Sequence, residues 1–173
     1  MKSIKVLAVA LVSTLGSFYS QAQSSKTIVE NAVESKDHTT LVVAVKAAEL
    51  VDVLSSKGPF TVFAPTNEAF AKLPKGTVET LLKPENKATL QAVLTYHVVA
   101  GTLDSKAVVE AITKGKGSVT LTTVQGGKLI ASLSGKNVIL TDEKGNKSTI
   151  TAVDIISSNG VIHVIDTVVL PKS

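Results

Sequence analysis

The chain predicts an α+β fold, and three features of its sequence carry that expectation. Apolar residues recur at helical spacing through the first half. From Ser118 onward they alternate instead, in short stretches broken by turn pairs. No strand–helix–strand unit repeats, so helices and strands segregate along the chain rather than interleave. With 44% hydrophobic residues in 173 and no cysteine, a core of Val, Leu, Ile and Ala must hold the fold without disulfides. A chain of this size buries about 70% of its unfolded surface, enough for one self-sufficient core.

The opening residues read as an address. Met1 to Lys5 is a basic start, Val6 to Leu15 an apolar run, and Ser20-Gln21-Ala22 offers small residues where a signal peptidase cuts. The run is about half of the roughly 20 residues that a membrane-spanning helix needs. The expectation is a cleaved signal peptide over residues 1–22, no transmembrane anchor, and one domain over residues 23–173. The chain is then secreted or periplasmic.

The elements follow in order. Ile28, Val29, Ala32 and Val33 put one apolar face on a helix over Thr27 to Ser35. A second helix runs from His38 toward Leu54, capped by Thr39 or Thr40, until Gly58-Pro59 stops it. Phe60 to Ala64 is a short strand, Asn67 to Lys72 a helical turn, and Thr77 to Leu82 a short helix. Leu90, Val93 and Leu94 align on a longer helix over Asn86 to Tyr96, and Asp104 or Ser105 caps another that runs to Thr113. Strands are then expected at Val119–Val124, Lys128–Leu133, Asn137–Thr141 and Lys147–Ile156. Asn159-Gly160 reads as a type I′ hairpin turn. The last strand, Val161 to Asp166, is apolar on both faces, as a strand covered on both sides must be.

All 18 basic residues are lysines, and two leave with the leader, so 16 face 14 acids. Nucleic-acid readers cluster charge on one face and use arginine forks on phosphates. These lysines are scattered, which sets nucleic acid aside as a partner.

Two apolar blocks stand near opposite ends of this chain: Gly58-Pro59-Phe60-Thr61-Val62-Phe63-Ala64-Pro65-Thr66-Asn67-Glu68-Ala69-Phe70 and Asn159-Gly160-Val161-Ile162-His163-Val164-Ile165-Asp166. Between them lies Leu94-Thr95-Tyr96-His97-Val98-Val99. This trio, in this order, resembles a fasciclin domain, an extracellular module of many adhesion proteins, from about Thr27 to Leu170. The resemblance implies a wedge of antiparallel strands with helices packed on it. It also implies a module for cell adhesion or matrix binding, with a cell-surface or matrix protein or polysaccharide as partner. Self-association is a further way for a lone module to gain avidity. In animal relatives it implies two receptor-contact motifs, whose matching positions here are Leu94, Tyr96, His97, Val98 and Val99, and Asp154 with Ile155. Glu49 stands where many members of that family turn with glycine.

Chemistry is sparser. His97 shares the apolar stripe of Leu90, Val93 and Leu94, so a structural histidine bonded to backbone outweighs a catalytic base. His163 alternates with Val161 and Ile165 and opposes Asp166, which denies it a local acid partner. A hydrolase using His97 or His163 is the enzyme alternative, but no Gly-x-Ser-x-Gly elbow accompanies either histidine. His38, His97 and His163 never reach metal-ligand spacing, so no metal or cofactor is expected. So aliphatic an interior could also carry a small apolar ligand. Along Lys147–Ile156, Asp154 falls in the pattern of a regular, buried strand.

Overall fold

A computed structural model of the chain describes residues 25–172, and the expected leader lies outside them. Helix α1 (Ile28–Glu34) opens on a capping box: Thr27 Oγ1 accepts from the Glu30 amide, and Glu30 returns a carboxylate to the Thr27 amide. A 3₁₀ turn (Lys36–His38) leads into α2 (Thr39–Ala47). Neither threonine's hydroxyl caps α2. The Thr40 amide instead donates to Asn67 Oδ1 at 3.0 Å, a cap delivered from 27 residues away.

The long helix expected toward Leu54 is two helices, because Glu49 sits at φ 56° and breaks it before α3 (Val51–Ser55). That left-handed conformation is the one glycine adopts without strain. Strand β1 (Phe60–Pro65) follows, then α4 (Asn67–Ala71), α5 (Thr77–Leu81), α6 (Lys87–Tyr96), β2 (Val98–Ala100) and α7 (Ser105–Lys114). Asp104 caps α7 through the Ala107 amide at 2.7 Å. Strands β3 (Ser118–Thr122), β4 (Lys128–Ser134), β5 (Asn137–Thr141), β6 (Lys147–Ser157) and β7 (Gly160–Ile165) complete the chain.

The seven strands form one sheet in the order β2-β1-β7-β6-β5-β4-β3. A bridge between Val99 and Thr123 brings its two ends nearly together. Pairing is antiparallel except between β1 and β7, which run parallel from Phe60↔Gly160 to Pro65↔Ile165. The two apolar blocks of the sequence are therefore neighbours in the sheet. Both strands are buried on both faces, which explains their unbroken hydrophobicity. Val62, Ala64 and Ile162 face a layer of helices with Leu41, Val45, Leu90 and Leu94. Phe63 and Ile165 face the curled interior with Leu129, Leu140 and Ile112 of α7.

The expected Asn159-Gly160 turn is displaced by one residue. Ser157 pairs with Gly160, so Ser158 and Asn159 make the turn, and Asn159 is not among the residues with positive φ. Gly160 is required for a different reason. A Cβ there would stand 2.0 Å from the Phe60 carbonyl oxygen, across the parallel pair.

Candidate functional site

The residues singled out by the resemblance fall into two groups. Leu94, Tyr96, His97, Val98 and Val99 are all buried, none more than 5% exposed. Tyr96 and His97, successive in sequence, enter different cores. The Tyr96 hydroxyl donates to the Lys128 carbonyl at 2.6 Å and accepts from the Glu143 amide at 3.2 Å. Burial, the largest cause, pushes that hydroxyl up to about 12, so it stays protonated and able to donate.

His97 lies at the end of α6, and its two ring nitrogens are both committed. The Val169 amide donates to Nε2 at 3.2 Å, which leaves the proton on Nδ1, bonded to the Val93 carbonyl at 2.8 Å. Burial pulls the ring down to about 4, and it is neutral at physiological pH. The histidine thus ties the helix end to the C-terminal segment. That segment gathers three more side-chain acceptors: Ser148 for the Thr167 amide, Asp142 for Leu170 and Glu143 for Lys172.

His163 stacks on Phe63 with ring centroids 5.8 Å apart. Its Nε2 donates to the Leu103 carbonyl at 2.6 Å, and its Nδ1 accepts from the Asp154 amide at 3.4 Å. Asp154 in turn sends its carboxylate to the amide and hydroxyl of Ser105, at the first turn of α7. Its charge therefore faces the positive end of a helix. Asp166 is occupied elsewhere, accepting from the Thr149 amide. Both ring nitrogens of His97 and both of His163 are therefore engaged with backbone groups.

The second group departs from the regular strand expected. Asp154 sits at φ 58°, and the β6–β7 register slips between Ile150 and Ala152 and again before Ile155. This bulge breaks the alternation and turns aliphatic side chains outward: Val153 is 46% exposed, Ile155 37% and Ile156 48%.

Two small cavities flank Ala32 of α1. One of about 40 Å³ is apolar, lined by Leu41, Val45, Leu94, His97 and Ile162 among others. It is far below the roughly 300 Å³ at which ligand pockets begin. The second, also about 40 Å³, is lined by Asn31, Ser35, His38 and Ile155. His38 is buried there, its Nδ1 2.7 Å from the Ser35 hydroxyl and its Nε2 without a hydrogen-bond partner among the described residues. Burial is the main cause lowering its proton affinity. Among the described residues no three His, Cys, Asp or Glu side chains could hold a metal ion together. Nor, among them, is any helix long and apolar enough to cross a membrane.

Asn159 is the residue whose importance the sequence hid behind turn chemistry. Its Oδ1 accepts from the Ile28 amide at 3.0 Å, its Nδ2 donates to the carbonyls of Leu54 and Ser56, and its own carbonyl accepts from the Phe60 amide. It joins α1, α3, β1 and β7 at one point.

This arrangement has known counterparts. The model of the fasciclin domain matches residues 36–171, and the chain belongs to that family. Protein sll1483 of Synechocystis sp. is 50% identical over 152 residues, covering 86% of this chain and 75% of its own. The transforming growth factor-beta-induced protein ig-h3 of Sus scrofa is 40% identical over 134 residues, which are 77% of this chain but only 17% of ig-h3. The immunogenic protein MPB70 of Mycobacterium bovis is 32% identical over 158 residues, covering 88% of this chain and 73% of MPB70. Among solved structures, a FAS1 domain pair from the insect cell adhesion molecule Fasciclin I superposes with a TM-score of 0.75 at 19% identity. The match covers 85% of this chain and 51% of that one, and it establishes the shared fold.

Proposed function

We propose that the chain is an exported binding module, a single fasciclin domain over residues 23–173 freed of residues 1–22. It acts by surface recognition rather than by chemistry on a substrate, in the secreted or periplasmic space. The observation that supports this most is the contrast at its two motif regions. Tyr96 to Val99 are packed inside with their polar atoms satisfied, so His97 and His163 serve the fold. Val153, Ile155 and Ile156 are the part of the motif regions that a partner can touch. Three neighbouring aliphatic side chains on a surface are a recognition feature more than a solvated one. They include no aromatic ring to stack on a sugar, which favours a protein of the cell surface or matrix as partner.

The test is retention of the exported chain on envelope and matrix preparations from its source. The triple variant Val153→Ser, Ile155→Ser, Ile156→Ser should lose retention while keeping its unfolding midpoint. A triple variant retained like the wild type, or an activity that vanishes in His97→Gln, would overturn the reading. Intact mass of the exported form, expected to begin at Gln23, checks the leader separately.

A further inference from the structure

Strand β6 has two halves with different neighbours. Its first residues, Lys147 to Thr149, pair with β5, and the residues from Ile150 onward pair with β7. The last registered partner of β5 in β6 is Thr149, and β5 begins at Asn137, so among the described residues no strand is registered beside the later part of β6 on that side. Thr151, Ala152, Val153, Ile155 and Ile156 are all exposed along this open edge. Ile155 lies opposite Ile162 and Ile156 opposite Val161, so apolar side chains project from both faces of the strand. A strand apolar on both faces has the character of an interior strand. Here, although β6 is the middle strand of the sheet, its second half has a registered strand on one side only.

Natural edges are protected by lysine, proline, a charge aimed across the edge, a cover or a bulge. Between Ser148 and Ser158 there is no lysine and no proline. The one charge, Asp154, is turned inward onto Ser105. The bulge remains as the single device, and it limits how many residues can pair.

We infer that this edge is the docking site for the same edge of a second copy of the chain, paired antiparallel about a two-fold axis near Val153. The inference rests on the binding-module reading and names the partner of its exposed strip. Charge decides for a second copy. An uncharged strip meets its own image with no like-charge cost and with every apolar side chain facing another. In a two-fold contact the same patch must complement itself. A contact through this one short strip falls below the about 800 Å² per partner of a standard interface. The pair is therefore weak, and forms where many copies are held close together.

Sedimentation velocity of the exported chain across a concentration series, with amide hydrogen exchange at both extremes, tests this. The expected result is a concentration-dependent dimer in which the amides of residues 151–156 gain protection. Val153→Lys sets two ammonium groups opposite each other and should weaken the dimer about tenfold or more. A chain monomeric at every concentration, protection gained elsewhere, or a dimer unaffected by Val153→Lys would each overturn the pairing. Its failure is separable from failure of the module reading. If the wild type stays monomeric but the serine triple variant still loses retention, the strip binds a foreign partner and only the pairing falls. If the dimer forms and the triple variant is retained normally, the strip serves self-pairing alone and the foreign-surface reading falls.

Discussion

Tyr96-His97-Val98-Val99 and Val153-Asp154-Ile155-Ile156 are stretches of the same make-up, an ionisable residue in second place among apolar ones. In the first, all four side chains are inside and both histidine nitrogens are bonded. In the second, the aspartate is drawn inward onto Ser105 while its three aliphatic neighbours face out. Local composition does not separate them. What separates them is how many elements flank each one. Tyr96 to Val99 leave α6 and enter β2 between two hydrophobic clusters, with β1 on one side and the C-terminal segment reaching His97. Val153 to Ile156 have β7 on one side and, among the described residues, no registered strand on the other. Similar residues become core or contact surface according to the neighbours the topology supplies.

The sharpest way to break this comparison is to remove His97. Replacing it by Ala leaves the Val93 carbonyl and the Val169 amide unpaired in the interior and opens a cavity. The expected cost is about 3 kcal/mol, read from the denaturant midpoint at unchanged slope. A loss below about 1 kcal/mol would mean that the segment is not held as its hydrogen bonds suggest.

The same histidine makes stability depend on pH. Its folded value, pulled down to about 4, lies below the ordinary value of 6.5. The unfolded chain therefore takes up the proton first as the pH falls. Its contribution is full above about pH 6.5, is lost progressively toward pH 4, and levels off below that. The shift corresponds to about 3 kcal/mol across the window. His97→Gln keeps a donor and an acceptor but does not titrate. The difference in unfolding free energy between wild type and His97→Gln should shrink as the pH falls through this range, and a constant difference would refute the assignment.

At the bulge, the effects are smaller and separate into backbone and side chain. Asp154→Ala loses the acceptors for Ser105 and keeps a Cβ in the left-handed region; Asp154→Gly loses the acceptors alone. Thermal or urea unfolding should find the Ala variant less stable than the Gly variant by about 1 kcal/mol. The reverse order would show that φ 58° carries no strain there.

Much of the fold was legible because its signals are local. The Asp104 cap, the α6 stripe of Leu90, Val93 and Leu94, and the doubly apolar β7 each depend on residues within a few positions. What escaped depends on distant partners. Asn67 caps α2 from beyond β1, and Gly160 owes its identity to the Phe60 carbonyl rather than to a turn. The β6 bulge escaped because Thr151 to Ile156 reads as an ordinary strand. The slip is fixed by the Asp154 amide on His163 and its carboxylate on Ser105, 49 residues away. The unpaired Nε2 of His38 leaves no mark in its neighbours along the chain.

The smallest expected effect sharpens the comparison most directly, because one chemical change can be made in both regions. Val98→Thr exchanges a buried methyl for a hydroxyl of nearly the same shape. Val98 is buried among apolar side chains of the helical layer, so the hydroxyl should cost about 1–3 kcal/mol unless it finds a backbone acceptor. Ile156→Thr keeps the β-branched shape that a strand prefers and places the hydroxyl in water. Its effect on stability should stay within about 0.5 kcal/mol. Association should respond in the opposite order, with Ile156→Thr weakening surface binding and Val98→Thr leaving it unchanged at temperatures where the variant is folded. If Ile156→Thr proves as destabilising as Val98→Thr, then Ile156 is covered in solution by part of the same molecule. The edge of β6 would then be closed, and the distinction between the two regions would collapse.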